Sequence, residues 1–134
     1  TSAAWVTAIS SGTVIRGKNG EVVVDLDNDG DERTGWTILY MHVAEEGRVA
    51  RGTKIKTGDR IGHASCEGGV STGTHVYVAR RYNGEWIPAG GTIPFVLDGW
   101  KVTGEATEYD GGLHRDAQVK VACECREEKN SVTK

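Results

Sequence analysis

The strongest constraint on this chain is its punctuation. Asn19-Gly20 and Asn83-Gly84 each separate two short apolar runs, and Asn-Gly accepts positive φ at both central positions of a tight hairpin. Further glycines at 52, 58 and 62 divide the segment RVARGTKIKTGDRIGH into short alternating pairs, a spacing that suits β-turns in a small, curved sheet. Glycine supplies 19 of 134 residues and proline only 2, while helix signals are weak throughout. The expected architecture is all-β: one compact antiparallel β-sandwich or partly open barrel with tight Gly-rich hairpins.

Residues 5–18 alternate loosely up to the first Asn-Gly, and EVVVD at 21–25 reads as the returning strand. WTILYMHV at 36–43 is a strong strand whose period of two places Trp36, Ile38, Tyr40 and His42 on one face and Leu39, Met41 and Val43 on the other. THVYVARRY at 74–82 is a second, leading into the Asn83-Gly84 turn and the return Glu85-Trp86-Ile87. From Pro88 the chain reads as a loop-rich extension anchored by Ile93, Phe95, Val96, Leu97 and Trp100. One domain over 1–126 and a polar, fraying tail over 127–134 are expected.

Several classes are excluded. No apolar run approaches the ~20 residues of a membrane helix, and nothing repeats at a solenoid period. The formal charge is −3, and Arg80, Arg81 and Lys101 lie scattered among acids as a solvated surface, so no broad nucleic-acid face is expected. The chain opens Thr-Ser-Ala-Ala-Trp, without Met or a signal-peptide apolar region. Three cysteines, Cys66, Cys123 and Cys125, allow one internal pair. A bond from Cys66 to either of the others would staple the tail to a loop, as suits a small extracellular domain.

Two constellations carry chemistry. His75 and Tyr77 are two apart in a strand and share a face; with His42 they place three polar side chains at one groove, where imidazole is the usual proton carrier and metal ligand near neutral pH. The alternative is three side chains hydrogen-bonded within a half-exposed sheet. The second is Asp25, Asp27, Asp29, Gly30 and Asp31, which matches the first half of a calcium loop. Trp36 stands where a complete loop would carry its bidentate Glu, so the alternatives are a calcium-stabilised turn, with Asp31 or Glu32 adding oxygen, and a solvated acidic loop.

Tyr40-Met41-His42-Val43, the glycine-punctuated run from Val49 to Gly62, and Ser71-Thr72-Gly73-Thr74-His75-Val76-Tyr77 follow one another in an order that resembles the lysostaphin-like zinc endopeptidases. These enzymes cut peptide bridges of the bacterial cell wall. The staphylolysin-like subgroup is the best match. Val24 to Asp27, Thr34-Gly35-Trp36, Ser65 to Gly69, Tyr82 to Ile87 and Pro94 to Trp100 extend the resemblance over nearly the whole chain.

In that family a His and an Asp of an upstream motif and the second His of a His-x-His pair hold zinc. The first His of the pair and a strand histidine act on the bound water and the oxyanion. The resemblance assigns His75 and His42 to these last two roles, with Tyr77 where the third zinc ligand belongs. The upstream motif would precede Trp5, where four residues stand. A catalytic zinc takes about three protein ligands, so no zinc is expected from this chain unless an upstream segment supplies them. The expectation is a degenerate, non-catalytic member, or a fragment beginning inside the domain. It would be secreted or at the cell envelope, and would bind an envelope peptide or glycan or copies of itself through an exposed sheet edge. The alternative is a zinc-dependent murein endopeptidase completed by upstream ligands.

Overall fold

The computed structural model describes residues 1–104, 110–122, 129 and 132. Its strands are β1 (Trp5–Thr7), β2 (Gly12–Lys18), β3 (Glu21–Asp25), β4 (Trp36–Met41), β5 (Lys54–Ile55), β6 (Arg60–His63), β7 (Tyr77–Tyr82), β8 (Glu85–Trp86), β9 (Val96–Leu97), β10 (Trp100–Thr103), β11 (Gly112–Arg115) and β12 (Gln118–Val121). No α-helix forms among the described residues. The chain divides into two compact units, Thr1–Trp86 and Ile87–Lys134.

In the first unit, six strands form an antiparallel sheet in the order β5-β2-β3-β4-β7-β8, and β1 pairs with β6 as a separate ribbon. The sheets are not closed into a barrel. The two Asn-Gly pairs make the expected mirror-image turns, with φ of 52° and 76° at Asn19-Gly20 and 49° and 79° at Asn83-Gly84. β3 spans the expected residues and pairs on both sides. Its residues from Val22 to Asp25 are all buried, so both faces of the strand are covered, which accounts for its unbroken apolar run.

Val22 and Val24 of β3 join Ala8, Val14, Ile38, Tyr40, Val43, Ile55 and Ile61 in the core. Each aliphatic side chain fully buried there contributes roughly 1.5–3 kcal/mol before the entropy of ordering it. Val23 points to the opposite face, in register with Leu39 and, one strand further, Ala79. A register shift between Val14 and Arg16 pairs Val14 with Val24 but Arg16 with Val23. The extra residue turns Arg16 from the core face to the outer face.

The second unit holds a four-stranded antiparallel sheet, β12-β11-β10-β9. Its strands are two to four residues long, too short to show alternation in the sequence. Asp98-Gly99, with φ of 49° and 77°, forms another mirror-image turn between Leu97 and Trp100.

Candidate functional site

β4 and β7 position the site. Their register sets Met41 opposite Tyr77, and two isolated bridges, Val43 with Ala64 and Ser65 with His75, draw the Gly-rich loop across the strand ends. β4 stops at Met41, because His42 adopts φ of 64°. For a non-glycine residue this is the costly left-handed region. The turn breaks the alternation expected from the sequence. Val43, expected beside Leu39 and Met41, enters the core with Ile38 and Tyr40. The His42 ring leaves the Ile38–Tyr40 face and meets His75, with ring centroids 4.5 Å apart and planes inclined by 52°. β7 likewise begins only at Tyr77, so His75 is held by its single bridge to Ser65.

Both imidazoles are fixed in one tautomer. His42 Nδ1 lies 2.8 Å from the Glu67 carbonyl oxygen, and His75 Nδ1 lies 2.8 Å from that of Gly73. A carbonyl only accepts, so each neutral ring donates from Nδ1 and leaves Nε2 as an acceptor. Ser71 Oγ, 3.3 Å from His75 Nδ1, donates to the same Gly73 carbonyl. His42 is 6% exposed, whereas His75 is open to solvent and Tyr77 is half-exposed.

The segment that holds His42 is braced on several sides. Ser65 donates to the His42 carbonyl from both N–H and Oγ, the latter also accepting from Glu67 N–H. The Glu67 carboxylate takes the Glu45 N–H and the Arg48 guanidinium, the ion pair closing at 2.8 Å. Gly20 and Gly68 press together: a Cβ on Gly20 would sit 2.6 Å from the Glu67 carbonyl. The backbone of Glu67, Gly68 and Gly73 is therefore part of the site. The Gly-rich composition of that loop was the available signal; which carbonyls face the rings was not.

The described residues do not fit a catalytic zinc ion. Among them the one group of three or more His, Cys, Asp or Glu side chains with converging ligand atoms is Asp25, Asp27 and Asp29. No third such donor joins His42 and His75, and zinc there would need about three.

The acidic loop divides its members. Asp25 is fully buried and accepts from the Gly30 N–H at 2.7 Å and the Asp27 N–H at 3.3 Å. The hydrogen bond between the Asp25 and Asp27 carboxyl groups raises the pKa of Asp27. Thr34 Oγ1 donates to Asp29 and holds its pKa low. Asp31, a candidate from the sequence, turns instead to Arg33, which lowers its pKa to about 2. Glu32 is engaged by Arg16 and Arg81 at 3.2 and 3.3 Å. Cys66 is exposed and makes no disulfide among the described residues; Cys123 and Cys125 lie outside the described residues, as does most of 127–134.

Two arginines expected on a solvated surface are not merely solvated. Arg80 is 7% exposed, lies over the Trp36 ring at 5.8 Å, and has its pKa lowered by burial. It sits opposite Ile38, on the side of the sheet that faces the core. Arg81, one residue on, points to the outer face and stacks over Trp86 at 3.8 Å.

The fold and the site together define an all-β domain of lysostaphin-like metallopeptidase type. Residues 1–89 match the model of peptidase family M23, and the chain belongs to that family. It is 26% identical over 117 residues to the beta-lytic metalloendopeptidases of Lysobacter enzymogenes and Achromobacter lyticus. The match takes in 83% of this chain but only 61% and 29% of those relatives' lengths. The fold also matches the solved structure of pseudoalterin, an M23 metalloprotease from the deep sea, with a TM-score of 0.72 at 20% identity over 91% of this chain and 72% of that one.

Proposed function

We propose that this chain is a non-catalytic M23 domain that binds peptide or glycan of the bacterial cell envelope, outside the cytoplasm. One observation carries the reading: two histidines are anchored through Nδ1 to backbone carbonyls with Nε2 left open, yet no third His, Cys, Asp or Glu donor converges on them among the described residues. Tyr77 occupies the position of the third ligand by resemblance. A phenol is not among the usual zinc donors, which are thiolate, imidazole and carboxylate. The groove remains usable for binding, because rigid imidazoles and a half-exposed tyrosine are hydrogen-bonding groups in a fixed frame.

The same reading extends to two further features. Among the described residues, the edges of the six-stranded sheet at β5 and β8 carry no further strand and offer backbone to a second copy. The Asp25–Asp27–Asp29 group is a seat for calcium, a hard cation that prefers carboxylate oxygen.

The test combines metal content with wall binding. The purified full chain, exposed to zinc and then dialysed, is expected to retain well under one zinc per chain. It should sediment with isolated cell walls and leave them intact. One tightly held zinc per chain together with wall hydrolysis would overturn this reading in favour of a zinc-dependent murein endopeptidase, completed by donors outside the described residues.

A further inference from the structure

The imidazole pair is chemically one-sided. Each Nδ1 hydrogen is already given to a carbonyl, so in the neutral rings both Nε2 atoms present lone pairs only. No hydrogen bond to either Nε2 is seen among the described residues, and His42 Nε2 is not one of the buried polar atoms left without a partner, so it faces the open side of the groove. The rings are close enough, at 4.5 Å between centroids, for one small group to reach both. Beside them the near end of the sheet's outer face is uncharged, Met41 pairing with Tyr77 and Leu39 with Ala79; the charges farther along that face, Arg16 and Arg81, are paired with Glu32. The nearest ion pair of the bracing segment, Arg48 with Glu67, is internally neutral.

We propose that His42 and His75 form a two-acceptor seat for a protonated primary amine. This rests on the binding reading above and names the chemistry the groove selects. An ammonium group brings three N–H donors on one atom, so it can satisfy both Nε2 atoms at once and keep a third donor for solvent or a neighbouring hydroxyl. A carboxylate or a carbonyl brings only acceptors and is repelled by the same lone pairs. A neutral amide offers at most two donors and no charge, and hydrogen bonds to a charged partner are roughly twice as strong. The seat therefore distinguishes a free amine from its acylated form, which is the difference between an uncapped and a cross-linked peptide end. The amine can come from a peptide N-terminus or from a lysine-type side chain. The two sources differ in reach, the second extending on a flexible stem of four carbons.

Three peptides separate the outcomes at pH 7.5: Ala-Ala-Ala-amide, its N-acetylated form, and N-acetyl-Ala-Ala-Lys-amide. Binding is read from the imidazole resonances of His42 and His75 in the full chain, and the same protein is assayed for sedimentation with cell walls. The free-amine peptide, the lysine peptide or both should shift both rings and bind roughly tenfold or more tighter than the acetylated peptide. Which of the two does so identifies the source. His75→Gln, a change at an exposed position, should abolish that preference without unfolding the chain. Equal binding of all three peptides overturns the amine seat while leaving the binding groove in place. No ring shift with any peptide also overturns the seat; sedimentation with walls then shows whether the groove reading survives it.

Discussion

Gly20→Ala should cost far more than an apparently equivalent change at Gly58, and the difference measures how tightly the first hairpin is pressed against the segment that holds His42. Both glycines have left-handed backbones, with φ of 76° and 90°, so a Cβ at either one is penalised by roughly 1–2 kcal/mol. Both substitutions also stiffen the unfolded chain, an offset of about 0.4–1 kcal/mol. These contributions cancel in the comparison. What remains is contact: nothing lies within 4 Å of a Cβ at Gly58, whereas at Gly20 it meets the Glu67 carbonyl carbon and oxygen and Gly68 Cα at 2.6 Å. Backbone atoms cannot rotate away, so relief requires a shift of the loop, at about 1–3 kcal/mol. For a unit of this size ~1 kcal/mol corresponds to about 4–8 °C in Tm. Thermal unfolding should therefore place Gly20→Ala at least ~4 °C below Gly58→Ala. The His42 ring resonances should move in the first variant only, because the displaced carbonyl is the one that accepts its Nδ1 hydrogen. Equal melting of the two variants with unmoved His42 signals would refute the argument.

Two more outcomes follow from the same contacts. Tyr40 is buried and its hydroxyl accepts the Ile9 N–H at 2.9 Å, so Tyr40→Phe strands that donor and should lower stability by about 1–3 kcal/mol in denaturant titrations; a loss under ~0.5 kcal/mol would mean that water replaces the bond. Calcium at a hundredfold excess over its Kd should add about 2.7 kcal/mol to the stability of the native fold, and a chelator should remove it. Calcium takes the carboxylate form of Asp27, whose pKa the contact with Asp25 raises, so the affinity should weaken as pH falls into the acid range. Asp27→Asn should abolish the calcium-induced shift, and an unchanged melting curve in calcium would leave the loop as an acidic turn.

The local rules were legible because they act within a few residues. The Asn-Gly turns need only two positive φ values, and the bounds of β3 follow from a turn on one side and an aspartate-rich loop on the other. The four-stranded sheet of the second unit escaped the same reading. Its strands pair mainly with immediate neighbours, yet only Asp98-Gly99 advertised a hairpin, and two-residue strands carry no period. The acidic loop was legible as a cluster but not in its division of labour. Whether an aspartate faces its neighbours, as Asp25 and Asp27 do, or an arginine, as Asp31 does, depends on the turn each one closes.

What the sequence determined by itself is the two Asn-Gly turns, the bounds of β3, the presence of strands within 36–43 and 74–82, and the kinds of side chain brought to the ends of β4 and β7. The tertiary structure alone decided that His42 leaves the face its strand assigns it, that Val43 takes the place in the core, and that the ring of His75, 33 residues later and just ahead of β7, lies 4.5 Å from that of His42 between centroids. Alternation is a property of one strand and carries no information about a left-handed residue forced at its end. The register of β4 against β7, and the carbonyls of a loop closed by Ser65, supply that force. They also lock each ring in the tautomer that leaves Nε2 open. The chemistry of the groove therefore depends on backbone atoms, whose positions no residue name records.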